Sequence, residues 1–330
     1  MRNSTASLYD RENMKSYVFR TDCGRVGYFQ KVNDVCDLYV ELDYISLSKR
    51  KYWKDWERYK LERDGKAPSC SVQDPMAKAV SFFLWNHCES VSPDIVEFSQ
   101  NPFKGGTYYP RINRDYSNLH KFQIRGSSFV DELRAYYNIV ESMEDIFKVV
   151  EPVVENYKAY GHRIREVLTI ACTEVEYLLL RALKDNGYKE KSQYRTTDYV
   201  TLLPIYSLGE YEVEVKMHPR LGRISPFKDW NPEKATKSLF WYDAYNSSKH
   251  DRGGFFQNAS IEAMVNSVAA IHILLEAQYG LKIFDKPMCS TYESSFYTLN
   301  RPNWNIEDIL VPKIDEAGKL VWDNEAEIFS

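Results

Sequence analysis

The chain has 330 residues, of which 44% are hydrophobic and 15% aromatic, and its formal net charge at pH 7 is −4. This composition is enough for one large core or two moderate ones. The net charge excludes a polycationic protein, so binding to nucleic acid would require a local basic patch. No apolar run has the length of a signal peptide or a transmembrane helix, which predicts a protein that does not enter membranes. The six cysteines form no CxxC pair and have no close histidine partners, so we expect reduced thiols, a cytoplasmic location and no metal site.

Residues 1–127 form a predicted N-terminal region of unknown type, either mixed α/β or irregular. A helix is indicated where Asp74 fits an N-cap and Pro75 the first turn. The segments with recognisable patterns are 17–29 and 34–47, read as short strands or mixed elements, and 48–66 and 74–90, read as helices.

The strongest helical pattern follows residue 128, and it predicts an antiparallel helical bundle over 128–285. One helix lies within 155–188 and ends at Asn186-Gly187. Its apolar face consists of Ile164, Leu168, Ala171, Val175, Leu178 and Ala182.

A small β insertion is predicted near 195–228, because YEVEVKM alternates and HPRLGR has the composition of a hairpin turn. The run Asn231-Pro232-Glu233 predicts the start of a helix that continues to Lys249 or His250, and 257–280 predicts the last helix, with His272 as a core histidine. The predicted fold class is therefore mainly α, a bundle with a β-hairpin insertion.

Residues 286–330 form a predicted acidic C-terminal extension. From residue 301 onward it has seven Asp or Glu against three Lys or Arg. Such a segment is either a docking arm for a protein partner or partly disordered.

The segment WYDAYNSSKHDRGGFF (241–256) contains the residues best suited to chemistry. On a helix, Asn246 and His250 share one face, and Lys249 and Arg252 flank the histidine with positive charge. A neutral histidine moves protons and cations hold phosphate, a combination that suits metal-free RNA cleavage. The alternative is that Lys, Arg and His stand here because a helix C-terminus carries partial negative charge, and spacing alone favours this second explanation.

A family resemblance adds to this reading. Roughly residues 131–280 resemble the HEPN superfamily of helical bundles, whose ribonucleases carry an Arg, then a polar residue such as Asn, and a His five positions after the Arg. In that frame Asn246 and His250 match, while Tyr245 stands at the Arg position. The matching pieces are TEVEYLLLRALKDNGY, PFKDW, WYDAYNSSKHDR and LLEAQYG.

The resemblance implies an RNA-binding homodimer, and metal-independent endoribonuclease activity of the kind found in bacterial defence or toxin systems. Tyr245 cannot supply the charge of the family's Arg, although Lys249 or Arg252 has one nearby. The alternative is a non-catalytic helical dimerisation or interaction module. The implied catalytic residues are His250, Asn246 and Glu174, and the implied substrate-binding residues are Lys249, Arg252, Tyr245 and Arg181.

Two further sets of residues have competing explanations. Glu174 and Arg181 are two turns apart on one edge of their helix, where Glu174 either orients His250 or forms a boundary salt bridge. The segment 48–66 has eight Lys or Arg with interleaved aromatic residues, which either stack nucleobases or pack one stripe into a core. The helical spacing favours the core. No Walker loop, dinucleotide turn, HExxH or GxSxG motif is present, so no cofactor is expected.

Overall fold

The computed structural model describes residues 14–41, 46–66, 71–87, 94–114, 127–250, 252–280, 283–284, 294–315 and 320–329. It gives the backbone but not the side chains at 41, 46–50, 59, 62–66, 86–87, 127, 250 and 252–253. Of the described residues, 47% are helical and 20% belong to strands. The protein is therefore mixed α/β, and the prediction of a mainly α fold is wrong. No helix among the described residues is both long and apolar enough to cross a bilayer.

The chain forms two compact units, named here by their main elements. The sheet unit contains the described residues of 14–108, Arg114 and Trp304–Ala326. The helical unit contains Tyr109–Asn113, the described residues of 127–303, and 327–329.

The strands are β1 (Met14–Thr21), β2 (Val26–Val32), β3 (Val35–Glu41), β4 (Ser46–Tyr52), β5 (Ile95–Gln100), β6 (Thr107–Tyr108), β7 (Glu212–Val215), β8 (Phe296–Asn300), β9 (Lys313–Ile314), β10 (Leu320–Val321) and β11 (Asn324–Glu325). The α-helices are α1 (Trp53–Lys66), α2 (Pro75–His87), α3 (Ser127–Phe147), α4 (His162–Lys184), α5 (Thr196–Tyr199), α6 (Leu202–Tyr206), α7 (Phe240–His250), α8 (Arg252–Phe255) and α9 (Ile261–Tyr279).

A five-stranded antiparallel sheet, in the order β4-β3-β2-β1-β5, organises the sheet unit. One face packs on α1 and α2, where the Trp56 ring lies 5.2 Å from Phe29 and 4.9 Å from Phe83. On the other face, Val18 and Tyr28 belong to a second core. Within the aromatic stripe of 48–66, Trp56 is fully buried as the core explanation predicts, whereas Tyr52 belongs to β4 and is 58% exposed.

The sheet could not be recognised from the sequence because its central strands are buried on both faces. Five of the eight residues of β1 and six of the seven of β2 are buried, with runs of four and five consecutive buried residues, so the apolar alternation of a one-sided strand is missing. Segment 48–66 is also divided, since its first residues belong to β4 and the helix begins at Trp53. The N-cap of α2 is confirmed: Asp74 Oδ1 accepts from the amide of Met76 at 2.6 Å.

The acidic C-terminal extension contributes a core segment to the sheet unit. Ile306, Ile309 and Val311 form the second core together with Val18 and Tyr28. Polar contacts also hold the segment: the Asn101 side-chain amide donates to the Ile309 carbonyl at 2.6 Å, β11 pairs with β6, and Lys313 pairs with Asp323 at 3.1 Å. The apolar residues of this segment are therefore occupied within the chain.

Helix α9 is the central helix of the helical unit, and α3, α4 and α7 pack against it. Apart from Glu262, all its residues are buried, which is typical of a helix surrounded by others. Arg111 ties the helices together: its guanidinium donates twice to Glu132 of α3, at 2.6 and 3.1 Å, and also to Asp185 and Gln278, at 2.8 and 2.9 Å. Glu132 accepts a further bond from the Tyr279 hydroxyl at 2.7 Å.

The predicted β-hairpin is wrong in its pairing, although its first strand exists. β7 pairs antiparallel with β8, far along the chain, and only Val213 forms a bridge, to Ile224. The turn sequence instead folds into a 3-10 helix, Pro219–Leu221, and Pro226 has no amide to extend a return strand.

The helix predicted from Asn231 is also interrupted. Asn231 caps a 3-10 helix, Pro232–Lys234, by accepting from the amide of Glu233 at 2.8 Å, whereas α7 begins at Phe240. The indole of Trp230 donates to the Ala235 carbonyl at 2.8 Å and holds the chain in this turn. The N-cap signal in the sequence is thus real, but it starts a single turn.

Candidate functional site

The end of α7 that carries the His250 position is held by packing of the rest of that helix. Trp241, Ala244 and Tyr245 are buried in the core of the helical unit, and the indole of Trp241 donates to the Pro226 carbonyl at 2.9 Å. The remaining face of α7 carries Asn246, which is partly exposed, and Lys249, which is exposed. The amphipathic pattern thus directs the polar residues outward at a fixed angle.

Two polar contacts join α7 to α4. The Tyr242 hydroxyl donates to Glu176 Oε1 at 2.5 Å, and the guanidinium of Arg165 donates to the Ser248 carbonyl at 3.2 and 3.3 Å. Arg165 and Glu176 are eleven residues apart, which is three turns, so they lie on one line of α4. Burial and the Glu176 carboxylate raise the pKa of Tyr242 far above its usual range, so it remains a hydrogen-bond donor.

Tyr245, at the position where the resemblance would place an Arg, holds a cation instead of supplying one. Its side chain is 3% exposed, and its hydroxyl accepts from Lys249 Nζ at 3.0 Å. The same ammonium lies 5.1 Å from the centre of the Tyr245 ring. This hydrogen bond raises the pKa of Lys249, so the ammonium is charged at neutral pH.

Two positive groups therefore lie at the last turn of α7. Arg165 of α4 donates to the Ser248 carbonyl, and Lys249 donates to the Tyr245 hydroxyl. Asn246 lies one turn before His250 and has no hydrogen-bond partner within the described part of the chain. We call Arg165, Tyr245, Asn246, Lys249 and His250 the α7 site. The backbone of α7 places His250 at its final residue, while the side chains of His250 and Arg252 lie outside the description.

Glu174 and Arg181 lie on the edge of α4 that meets the Arg111 cluster. Arg181 pairs with Asp185 at 3.0 Å, one turn along α4, and is itself partly exposed. Glu174 is a partly buried carboxyl, and burial together with the Glu132 charge raises its pKa to about 7. In the described structure, the polar contacts between α4 and α7 are made by Arg165 and Glu176.

His272 is confirmed as a buried histidine with both ring nitrogens in polar contact. Nδ1 lies 2.8 Å from the Ser294 hydroxyl, and Nε2 lies 3.0 Å from the Thr298 hydroxyl. Burial lowers the pKa of His272 to about 3, so the ring is neutral at pH 7. Thr298 in turn donates to Glu276 at 2.6 Å, and Arg301 pairs with that carboxylate at the same distance.

Neither Arg165 nor the partner of Glu176 was predicted from the sequence. The available signal was their three-turn spacing beside the apolar stripe of α4, which puts two opposite charges on the line that faces a neighbouring helix. Which neighbour that is depends on packing between distant segments, and single-sequence periodicity does not contain this information.

No family model, curated protein or solved structure matches this chain. Among the described residues, no group of three or more His, Cys, Asp or Glu side chains is arranged to hold a metal ion.

Proposed function

We propose that this protein binds RNA at the α7 site and cleaves it without a metal ion. The observation that carries the proposal is the anchoring of Lys249 on the Tyr245 hydroxyl at 3.0 Å. It keeps a charged ammonium on the last turn of α7, next to His250, although the family's Arg is replaced. Phosphate contacts of this kind supply most of the affinity in nucleic-acid binding.

Arg165 adds a second cation from α4. Its contact with the Ser248 carbonyl uses two of its donor nitrogens, Nε and Nη2, and leaves Nη1 for other bonds. A guanidinium and an ammonium group at one end of α7 suit a phosphodiester, which has two non-bridging oxygens. The partly exposed side-chain amide of Asn246 adds a donor on the same turn.

The reaction we propose is transesterification at the RNA backbone. Neutral His250 takes the proton of the 2′-hydroxyl, the 2′-oxygen bonds to phosphorus, and the bond from phosphorus to the 5′-oxygen breaks. The 5′-oxygen takes a proton from water, so the products are a 2′,3′-cyclic phosphate and a 5′-hydroxyl. Lys249 and Arg165 balance the negative charge that grows on the phosphorane oxygens.

Binding is tested with a fluorescent single-stranded RNA over a series of salt concentrations. Lys249→Gln should weaken binding about tenfold and reduce the slope of log affinity against log salt by about one, because one phosphate contact is lost. The matched control is Lys237→Gln, which removes an exposed lysine from the segment before α7 and should change neither quantity. Equal affinities for the two variants would contradict the assignment of this site.

A further inference from the structure

Three ring side chains in contact, Tyr160, His162 and Phe256, form a partly exposed cluster where α4 begins and where the chain returns from α8 to α9, and the exposed ring of Phe255 precedes Phe256 in the chain. We call Tyr160, His162, Phe255 and Phe256 the aromatic patch. The Phe256 ring lies edge-on to Tyr160 at 5.6 Å and at a tilt to His162 at 4.8 Å. Tyr160 is 53% exposed and Phe255 is 45% exposed, although both rings are large and apolar.

The backbone that carries the patch is fixed to the central helix. Tyr160 pairs with Ser260 in an antiparallel bridge, and the amide of Ile261 donates to the Ala159 carbonyl at 2.9 Å. Ser260 is also the N-cap of α9, since its hydroxyl accepts from the amide of Ala263 at 3.3 Å. Rings held in this way lose little conformational freedom when a flat ligand stacks on them.

The patch adjoins the α7 site through two connections. His162 and Arg165 are three residues apart on the first turn of α4, so they are neighbours on its surface. The side-chain amide of Asn258, two residues after Phe256, donates to the Ser247 hydroxyl of α7 at 3.4 Å. Neighbouring side chains on a helix are about 5–6 Å apart, a distance that one nucleotide spans between its base and its phosphate.

The charges around the patch favour a polyanion. Exposed cations are Lys158 and Lys249, and Arg165 faces α7. Arg163 also lies there, but Glu166 pairs with it at 3.1 Å. Among the described residues, Glu155 and Glu262 are the other carboxylates on the adjoining turns, and neither is part of the patch.

We propose that the aromatic patch stacks a nucleobase of single-stranded RNA whose phosphate lies at the α7 site. This inference rests on the proposed function and adds the form of RNA that the site takes. Bases of a duplex are stacked on each other and do not reach such a ring, whereas unpaired bases stack on aromatic side chains. Stacking of this kind is tolerant of sequence because every base has a π-face.

The test compares two ligands of equal length and charge, single-stranded RNA and an abasic oligoribonucleotide. The double variant Tyr160→Ala/Phe255→Ala removes the two exposed rings, and Tyr160→Phe retains a ring. The control is Tyr297→Ala, a tyrosine of β8 that is 55% exposed. Thermal unfolding of each variant checks that the fold is retained.

We expect the native protein, Tyr160→Phe and Tyr297→Ala to bind RNA about tenfold more tightly than the abasic strand. This difference in affinity corresponds to roughly one stacked base. The double variant should bind both ligands equally, at the affinity of the native protein for the abasic strand. If the native protein binds both ligands equally well, stacking is refuted while phosphate binding stands. If it binds neither, the proposed function fails as well. A double variant that turns a dimer into a monomer and keeps the RNA preference would assign the patch to contacts between copies of the chain and overturn the inference.

Discussion

Replacing Glu174 by glutamine should stabilise the protein at about pH 8 and leave its stability nearly unchanged at about pH 4. The reason is the surroundings of this carboxyl in the Arg111 cluster. The guanidinium of Arg111 is already bonded to Glu132, Asp185 and Gln278, and Arg181 pairs with Asp185. The negative charge of Glu174 is therefore left beside that of Glu132, in a partly buried position.

The size of the effect follows from the pKa of Glu174, which rises from 4.5 to about 7. At full effect this corresponds to about 3 kcal/mol of preference for the neutral acid in the folded state. Solvent reaches part of the side chain, so we expect about 1–2 kcal/mol. The unfolded chain ionises first as pH rises, so this group lowers the free energy of unfolding between about pH 4.5 and pH 7. Glutamine imitates the neutral acid and removes that loss.

The assay is thermal unfolding of the native protein and the variant at several pH values. A domain of the size of the helical unit should gain about 2–4 °C in Tm for each kcal/mol at about pH 8. Glu141→Gln is the control, because it removes the same charge from an exposed position of α3. A variant less stable than the native protein at about pH 8 would show that Glu174 is a paired carboxylate and would refute the reasoning.

Three further predictions concern burial. Because the pKa of His272 is low, the unfolded chain binds a proton before the folded protein does as the pH falls. The free energy of unfolding should therefore decrease from about pH 6.5 toward pH 3, by up to about 5 kcal/mol. His272→Gln should flatten this part of the profile of stability against pH. Trp56→Ala should lower the free energy of unfolding by about 3–5 kcal/mol in denaturant titrations, whereas Tyr52→Ala, at a 58% exposed position, should change it little. Ile309→Ala should remove about 2–4 kcal/mol if the C-terminal segment is part of a core, and an unchanged denaturation midpoint would contradict its packing on Val18 and Tyr28.

Elements whose signals are local could be predicted from the sequence. Helices α4 and α9 have long apolar periodicities, and α2 begins at an Asp-Pro pair that serves as its cap. β1 and β2 could not be recognised as a sheet because both faces are covered, one of them by residues of the C-terminal segment. β7 could be recognised as a strand, but its partner β8 begins about eighty residues later, and pairing over such a separation leaves no local pattern.

At the α7 site, too, local contacts can be predicted from the sequence and contacts between distant segments cannot. The contact between Tyr245 and Lys249 joins residues four apart on a helix, so spacing alone allows it. The contact between Arg165 and Ser248 joins α4 to α7, and the choice of Glu176 over Glu174 as the partner of α7 depends on how those helices pack. The contacts within α7 could therefore be predicted from the sequence, whereas those that α4 makes with α7 depend on packing between distant segments.

The most direct test of the central claim is RNA cleavage by the purified protein in EDTA, with His250→Ala beside it and His218→Ala as a control on the turn after β7. We expect products that end in a 2′,3′-cyclic phosphate from the native protein and the control, and none from His250→Ala. Equal cleavage by His250→Ala would contradict the assignment of His250 as the group that moves the proton. RNA that is bound but not cut by the native protein would contradict it too, and would leave a binding module without catalysis.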